Sequence, residues 1–313
     1  MKDTSEITRD VLRRRDDWRQ ERSARHRSLM RTMAVVLVVL TLCGGAAAAG
    51  SNALADFFVG FRGGDLSTEQ EAVATLAEDF EARTAVSGDW TVTIDNTICD
   101  GQNYFMTVSV TGPEGWMEGI GGVHWEEMEI IGGGKLHKHR GIKTWHELEP
   151  TEVDTDRYVM CISLKEAVEG PLTLELKELR LLWGKEADIP LETEEVWIFE
   201  DLEFANAGEP VELLAEPIVV HPLVGLDEER CKVQFDSIQL RAFSICISYS
   251  HMDLPGVPDP KGLLVLKDGS SYELSFSGGG GSEGGMLNAV FGFPVLPEEV
   301  DHILIEGIRF DIP

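Results

Sequence analysis

Positive charge is scarce in this sequence. Its 313 residues hold 27 Lys and Arg against 55 Asp and Glu, a formal charge of −28. That balance argues against a nucleic-acid binder, which would need a basic face for phosphates. Cysteine is rarer still, at five, and no two stand as Cys-x-x-Cys, which leaves a thiol redox enzyme and a zinc ribbon without support. His146-Glu147 lacks the second histidine of a zinc-protease helix. No Gly-x-Ser-x-Gly or Ser-x-x-Lys element stands in a suitable context. The glycine run Gly278–Gly285 has no Lys-Ser/Thr and opens no clear helix, so it is not a phosphate loop; it reads as a flexible connection between strands. Gly119–Gly122 and Gly132–Gly134 read the same way. What is present in ordinary amount is apolar surface: 43% hydrophobic and 8% aromatic residues are enough for packed cores and exclude a mostly disordered chain.

The shortage of positive charge is uneven. Residues 1–31 hold ten basic side chains, Lys2 and nine Arg, against six acidic ones, for +4. Residues 32–55 hold no charge at all. Residues 56–313 hold 17 basic and 49 acidic groups, for −32. The uncharged stretch is strongly apolar from Met33 to Cys43 and then rich in small residues to Ala55, a composition that membrane helices tolerate. As a helix it would rise about 36 Å, enough for a hydrocarbon core of about 30 Å. Arg25, Arg27 and Arg31 lie just ahead of it, which predicts a cytoplasmic N-terminus and an extracellular region after about residue 56. Two rivals are a cleaved signal peptide ending at Ala53-Leu54-Ala55 and a lipoprotein anchored on Cys43. A leader of about 32 residues is long for the first, and bulky Leu42 stands where the second needs a small residue, so the anchor is preferred.

Residues 5–28 read as a helix with Thr4 or Ser5 at its N-cap and Ile7, Val11 and Trp18 on one stripe, Leu12 beside it. Its Arg-rich face suits anionic lipid heads at about 1 kcal/mol each. The apolar stripe offers anchors for a cytoplasmic partner. After the span, Phe57, Phe58 and Phe61 suit the membrane interface. Ser67-Thr-Glu-Gln70 has the form of a capping box, predicting a helix of about 15 residues with Val73, Leu76, Ala77 and Phe80 on one face. From Trp90 the apolar period changes to two, and strands are expected. Trp90–Ile98 and Tyr104–Val110 form a hairpin around Asp100-Gly101, followed by strands at Tyr158–Ile162, Leu172–Leu182 and Val196–Phe199. A boundary is expected near Ala205–Pro210, since six of the seven Trp lie between residues 90 and 197 and none beyond. The second part carries strands at Pro217–Val220, Lys232–Leu240 and Ala242–Tyr249, a hairpin over Gly262–Phe276, and a closing strand over Val300–Ile312. The fold class expected is mainly β: a single transmembrane helix, one juxtamembrane helix and two antiparallel, immunoglobulin-like β-sandwiches. The domains are 1–31 (cytoplasmic helix), 32–55 (span), 56–86 (juxtamembrane), 87–205 and 206–313 (sandwiches).

Four cysteines, Cys99, Cys161, Cys231 and Cys246, fall in the region expected outside the cell, where disulfides form. Pairing within domains gives Cys99–Cys161 and Cys231–Cys246; the alternative is four thiols packed in cores. His137-Lys-His139 would set both rings on one face of a strand, but Lys135, Lys138 and Arg140 interleave and repel a cation; His124 and His146 lie in the same Gly-rich region, and no metal is expected. Glu126, Glu127 and Glu129 beside Trp125 suggest a sugar-cleaving pair, yet carboxylates are so common here that their closeness carries little weight. Asp154-Thr-Asp156 starts like a calcium loop and lacks its later Gly and Glu. No catalytic constellation and no cofactor follow, and the chain is expected not to be an enzyme.

The arrangement resembles a family of single-pass membrane proteins of Gram-positive bacteria bearing the domain of unknown function numbered 4179. The likeness rests on Ile7–Arg15, the span, Val92–Phe105, Leu264–Tyr272 and Pro297–Ile305. That resemblance implies a partner among extracytoplasmic-function sigma factors. Residues 1–31 are too few, and without Cys, to be a zinc anti-sigma module. The expectation is a cell-membrane protein, N-terminus inside, whose β-rich part binds an unknown extracellular ligand and whose leader reports to a sigma factor or other regulator. A wall-associated adhesion module that signals nothing, and a secreted ectoenzyme, are the alternatives.

Overall fold

The computed structural model describes residues 53–62, 65–117, 120–145, 154–183, 195–224, 229–253, 257–281 and 283–313. The leader helix with Ile7, Val11 and Trp18, and nearly all of the uncharged stretch, lie outside these. Among the described residues no helix is long and apolar enough to cross a membrane.

Two helices precede the sheets. α1 (Ala53–Arg62) carries Leu54, Phe57, Phe58 and Phe61 at the i, i+3, i+4, i+7 spacing of one helical face. Asp56 in its first turn and Arg62 in its last complement the helix dipole. α2 (Thr68–Thr75) starts from the expected capping box between Ser67 and Gln70. It then tightens into a 3₁₀ turn over Leu76–Asp79, so the helical run ends sooner than expected. Val73 and Ala77 are buried but Leu76 is 42% exposed.

The first sandwich contains β1 (Arg83–Ser87), β2 (Trp90–Cys99), β3 (Asn103–Thr111), β4 (Ile120–Gly132), β5 (Lys135–His137), β6 (His139–Trp145), β7 (Thr155–Leu164), β8 (Leu172–Trp183), β9 (Val196–Leu202) and β10 (Ala205–Asn206). One sheet runs β1-β2-β3-β7-β6, with β10 laid parallel beside β2; the facing sheet runs β5-β4-β8-β9. Their inner residues, among them Ile94, Tyr104, Trp125, Leu176 and Trp197, form one core.

The second sandwich contains β11 (Val211–Glu212), β12 (Ile218–Val220), β13 (Leu223–Val224), β14 (Glu229–Arg230), β15 (Val233–Arg241), β16 (Ser244–Ser250), β17 (Pro258–Asp259), β18 (Gly262–Leu266), β19 (Ser271–Leu274), β20 (Ser277–Gly281), β21 (Gly284–Val290), β22 (Val300–Ile305) and β23 (Ile308–Asp311). A sheet ordered β11-β15-β16-β21-β20, with β12 also on β15, faces a sheet ordered β19-β18-β22-β23; β14-β13-β17 form a small third sheet. The architecture is thus mainly β and antiparallel, as the alternation predicts.

Two expectations are corrected here. Val300–Ile312 is a hairpin, not one strand: Glu306 and Gly307 take φ of +52° and +77°, the two-residue turn that joins β22 to β23. The glycine run is not a loose connection but the paired strands β20 and β21. It has no room for side chains in places: a Cβ on Gly278 would stand 2.1 Å from the Met286 carbonyl oxygen.

The two sandwiches are not insulated from each other. The outer face of the β2-β3-β7 sheet (Ile98, Phe105, Val159, Cys161) joins α1 and the second sandwich in one continuous apolar cluster. Ser51–Pro313 forms one compact unit.

Candidate functional site

The junction between the sandwiches is where chemically distinctive side chains concentrate. Its apolar half is built by α1. Leu54 and Phe58 are fully buried and Phe57 nearly so. The Phe58 ring lies 6.2 Å from Phe105 on β3 and 5.5 Å from Phe243 in the β15–β16 turn, and Phe105 and Phe243 are 4.8 Å apart. Phe57 and Phe61 meet Trp145 at the end of β6, at 5.3 and 6.3 Å. Phe57 and Phe58 therefore serve protein packing rather than a membrane interface, which corrects their reading, while Phe61 stays 44% exposed. The same facial spacing fits both roles, and the preceding apolar run made the membrane the nearer partner in sequence. Beyond α1, Arg62 bonds to Gln70 Oε1 and lies 3.2 Å from Asp268 Oδ2 in the second sandwich. Hydrogen bonds from Ser270 hold the Asp268 carboxyl below its ordinary pKa, and Arg62 assists. Gln70 Nε2, buried, donates to the Pro294 carbonyl at 2.7 Å.

The polar half centres on Asp100, 1% exposed, in the β2–β3 turn. Asp-Gly suits this turn: Gly101 supplies φ +87°, and Asp100 Oδ1 accepts from the Gln102 backbone N–H at 3.1 Å, an Asx turn. The carboxylate then reaches across the junction. Oδ1 also accepts from the Asn103 N–H at 2.8 Å, and Oδ2 from the Phe243 N–H at 3.3 Å and the Ser244 hydroxyl at 2.9 Å. Asn103 Nδ2 lies within 3.1 Å of both oxygens. Asn103 Oδ1 in turn accepts from Ser163 at 2.7 Å and Asn288 at 2.8 Å. Arg241 Nη1 donates to the Asp100 carbonyl at 2.8 Å. Donors and acceptors from β3, β7, β15, β16 and β21 thus converge in one buried network, which low local dielectric makes strong when satisfied. Because its members come from both sandwiches, the cluster ties the two together.

The four cysteines are all free and buried. The pairings Cys99–Cys161 and Cys231–Cys246 are not formed, and strand geometry says why. Cys99 lies opposite Tyr104 and Cys161 opposite Phe105, so β3 stands between them and they face opposite sides of the sheet. Cys231 lies in the apolar core, whereas Cys246, between inward Ile245 and Ile247, turns to Gln102 Oε1 at 3.1 Å and Asn288 Oδ1 at 3.3 Å. Burial pushes the Cys99 thiol up to about 11, with a smaller lowering by a hydrogen bond from Gly101. Burial raises Cys161 further. These thiols are expected to resist a thiol reagent at pH 8 until denaturant is added. A pKa raised in the folded state gives stability that is complete below the unfolded value, about 8.5, and lost as pH rises through the folded one. Denaturation midpoints should therefore fall between pH 9 and 11, and less steeply in Cys99→Ala.

The other candidates separate. His137 ends β5 with its Nε2 3.0 Å from the Gly132 carbonyl, while His139 begins β6 in the other sheet, so no shared strand face presents both rings. His124 is exposed, and His146 lies outside the described residues. Trp125 points inward, its Nε1 2.8 Å from Tyr158 Oη, away from Glu126, Glu127 and Glu129. Glu126 instead pairs with Arg180 at 2.7 Å and Glu129 with Lys177 at 3.2 Å. Burial opposes the Lys177 charge, but hydrogen bonds with Glu129 and Glu175 outweigh it and raise the pKa. The Asp154 carbonyl accepts from the Trp116 indole, and Asp156 is buried. Among the described residues no three His, Cys, Asp or Glu converge as a metal site. An apolar cavity of about 10 Å³ inside the first sandwich, lined by Tyr104, Met106, Leu174 and Phe204 among others, has room for about one water and offers it no polar wall.

No family model and no curated protein matches the chain. A solved structure, the conserved domain protein from Bacillus anthracis, is similar over 71% of this chain and 74% of that one, with a TM-score of 0.45 and 12% identity.

Proposed function

We propose that the chain is a single-pass membrane protein whose β-rich unit lies outside the cell, binds a ligand there, and reports to a cytoplasmic regulator through the leader. In this reading the two sandwiches are immunoglobulin-like modules, the chain is not an enzyme, and an extracytoplasmic-function sigma factor is the regulator expected from the resemblance to the family with domain 4179. Ile7, Val11 and Trp18 are the docking anchors. The observation that carries the reading is the position of α1. Its first three residues, Ala53–Ala55, are the last three of the uncharged stretch, and Leu54 is fully buried in the junction. In sequence the stretch therefore ends inside a helix that packs against both sandwiches, which makes α1 the element through which the ligand-binding unit and the span would communicate. The remaining uncharged residues, 32–52, still give a helical rise of about 31 Å, long enough to span. Burial of Leu54 also supports retention of the anchor over cleavage after Ala55, which would remove a core residue. Burial of the four thiols fits an oxidising exterior without disulfides.

Protease added to intact cells is expected to digest epitopes placed beyond residue 53 and to spare one at the N-terminus. The reverse pattern overturns the orientation. A sigma factor is expected to co-purify with the full-length protein and to be lost with Trp18→Ala; no cytoplasmic partner after crosslinking would leave the adhesion reading in place.

A further inference from the structure

Residues 130–146 contain Lys135, Lys138, Arg140 and Lys143 and no carboxylate, in a region where acids outnumber bases 49 to 17. The structure shows what that segment becomes. β5 is the edge of one sheet of the first sandwich and β6 the edge of the other, and the chain crosses between them at Lys138. Lys135, Lys138 and His139 are exposed and Lys143 half-buried; Leu136 between them is 61% exposed. Six other cations, Arg62, Arg157, Lys177, Arg180, Arg230 and Arg309, each meet a carboxylate within 4 Å. Among the described residues Lys135, Lys138 and Lys143 meet none. Next to this ribbon runs β20, which packs against β6 and whose Gly278–Gly281 bring no side chains. Gly141 on β6 and Gly279 on β20 both face open space. The result is three lysines within nine residues of chain, at most about 26 Å apart at about 3.3 Å per residue, beside bare backbone.

We propose that this ribbon binds a linear, phosphate-bearing polymer. The proposal deepens the extracellular binding role put forward above by naming its ligand class. A thin chain of charges can follow the ribbon without meeting the carboxylates around it, such as exposed Glu126, Glu127, Glu166 and Glu169, whereas a flat anionic surface would confront them together. Lysine ammonium groups bind phosphate as point charges and need no planar, two-pronged acceptor. The exposed Leu136 gives the hydrocarbon part of such a polymer a contact.

The test uses the full-length chain in a non-ionic detergent and inorganic polyphosphate as probe. Binding is expected at 50 mM salt and should weaken as salt rises. The triple variant Lys135→Glu, Lys138→Glu, Lys143→Glu should bind at least about 30-fold more weakly, with the slope of log affinity against log salt reduced by about 2, as for three contacts to a single-stranded polyanion. The same three positions changed to Gln should lose less, and Lys232→Glu with Lys261→Glu, exposed on the second sandwich, should change little. Unchanged melting temperatures guard against unfolding. The proposal is overturned by absence of binding, by equal loss in the Lys232/Lys261 variant, by binding to phosphatidylglycerol vesicles and not to polyphosphate, or by tighter binding to polyglutamate. Protease accessibility reads orientation and not affinity, so the two proposals can fail separately.

Discussion

Phe58→Ala is expected to lower the unfolding free energy by about 3–5 kcal/mol, the range for deleting a fully buried aromatic ring whose surroundings cannot close over the gap. The site is poorly placed to collapse. Phe58 packs on both Phe105 of the first sandwich and Phe243 of the second, which also touch each other, and each of those is held by its own strand or turn. Phe61 provides the control on the same helix. It is 44% exposed and rests on Gly292, where an added Cβ would fall 2.3 Å from its ring. Phe61→Ala removes part of a surface contact and is expected to cost about 1–1.5 kcal/mol. Urea titrations of both variants decide the matter. If Phe58→Ala and Phe61→Ala cost the same, the buried face of α1 is not what binds it to both sandwiches. If the loss at Phe58 comes with a second, separate transition, α1 is also what makes the two sandwiches unfold together.

Much of the β architecture was legible because antiparallel strands with one wet face must alternate. Trp90–Ile94 and Met106–Val110 alternate and Asp100-Gly101 marks the turn, so the β2–β3 hairpin could be read directly, while Ile98 and Phe105 near the turn face the second sandwich. The same rule misled at Val300–Ile312, where alternation continues through Glu306-Gly307 and the turn does not interrupt the pattern. It was silent at Gly278–Gly281, since a strand without side chains has no pattern to show; the pairing to β21 is decided by close backbone approach instead. α1 had a readable signal, the 54, 57, 58, 61 spacing, but its neighbour in sequence was lipid-like and its neighbours in space lay about 50 and 185 residues away, at Phe105 and Phe243. The cysteine faces depended on register, which places Cys99 and Cys161 on opposite sides of one sheet.

Asp100→Ala tests the least legible part of the site, because nothing in Asp-Gly beyond a turn announces a carboxylate that joins two domains. Its expected cost is about 3–5 kcal/mol, that of removing one partner from a buried charged or strongly polar set. The loss is not one hydrogen bond. Three backbone N–H groups (Gln102, Asn103, Phe243) and the side chains of Asn103 and Ser244 lose their acceptor together, in a place where water does not reach. Asp100→Asn keeps one oxygen for the local Asx turn and turns an amide toward Ser244, whose hydroxyl can rotate to accept, while the Phe243 N–H faces a donor. It should therefore cost less than Ala and still weaken the link across the junction. Native-state hydrogen exchange separates the two effects. In Asp100→Asn the amide of Phe243 should lose protection while those of Val92 and Ile94, inside the first sandwich, keep theirs. Equal loss at all three would mean that Asp100 serves the hairpin alone. In that case the junction is held by the phenylalanines of α1, β3 and the β15–β16 turn.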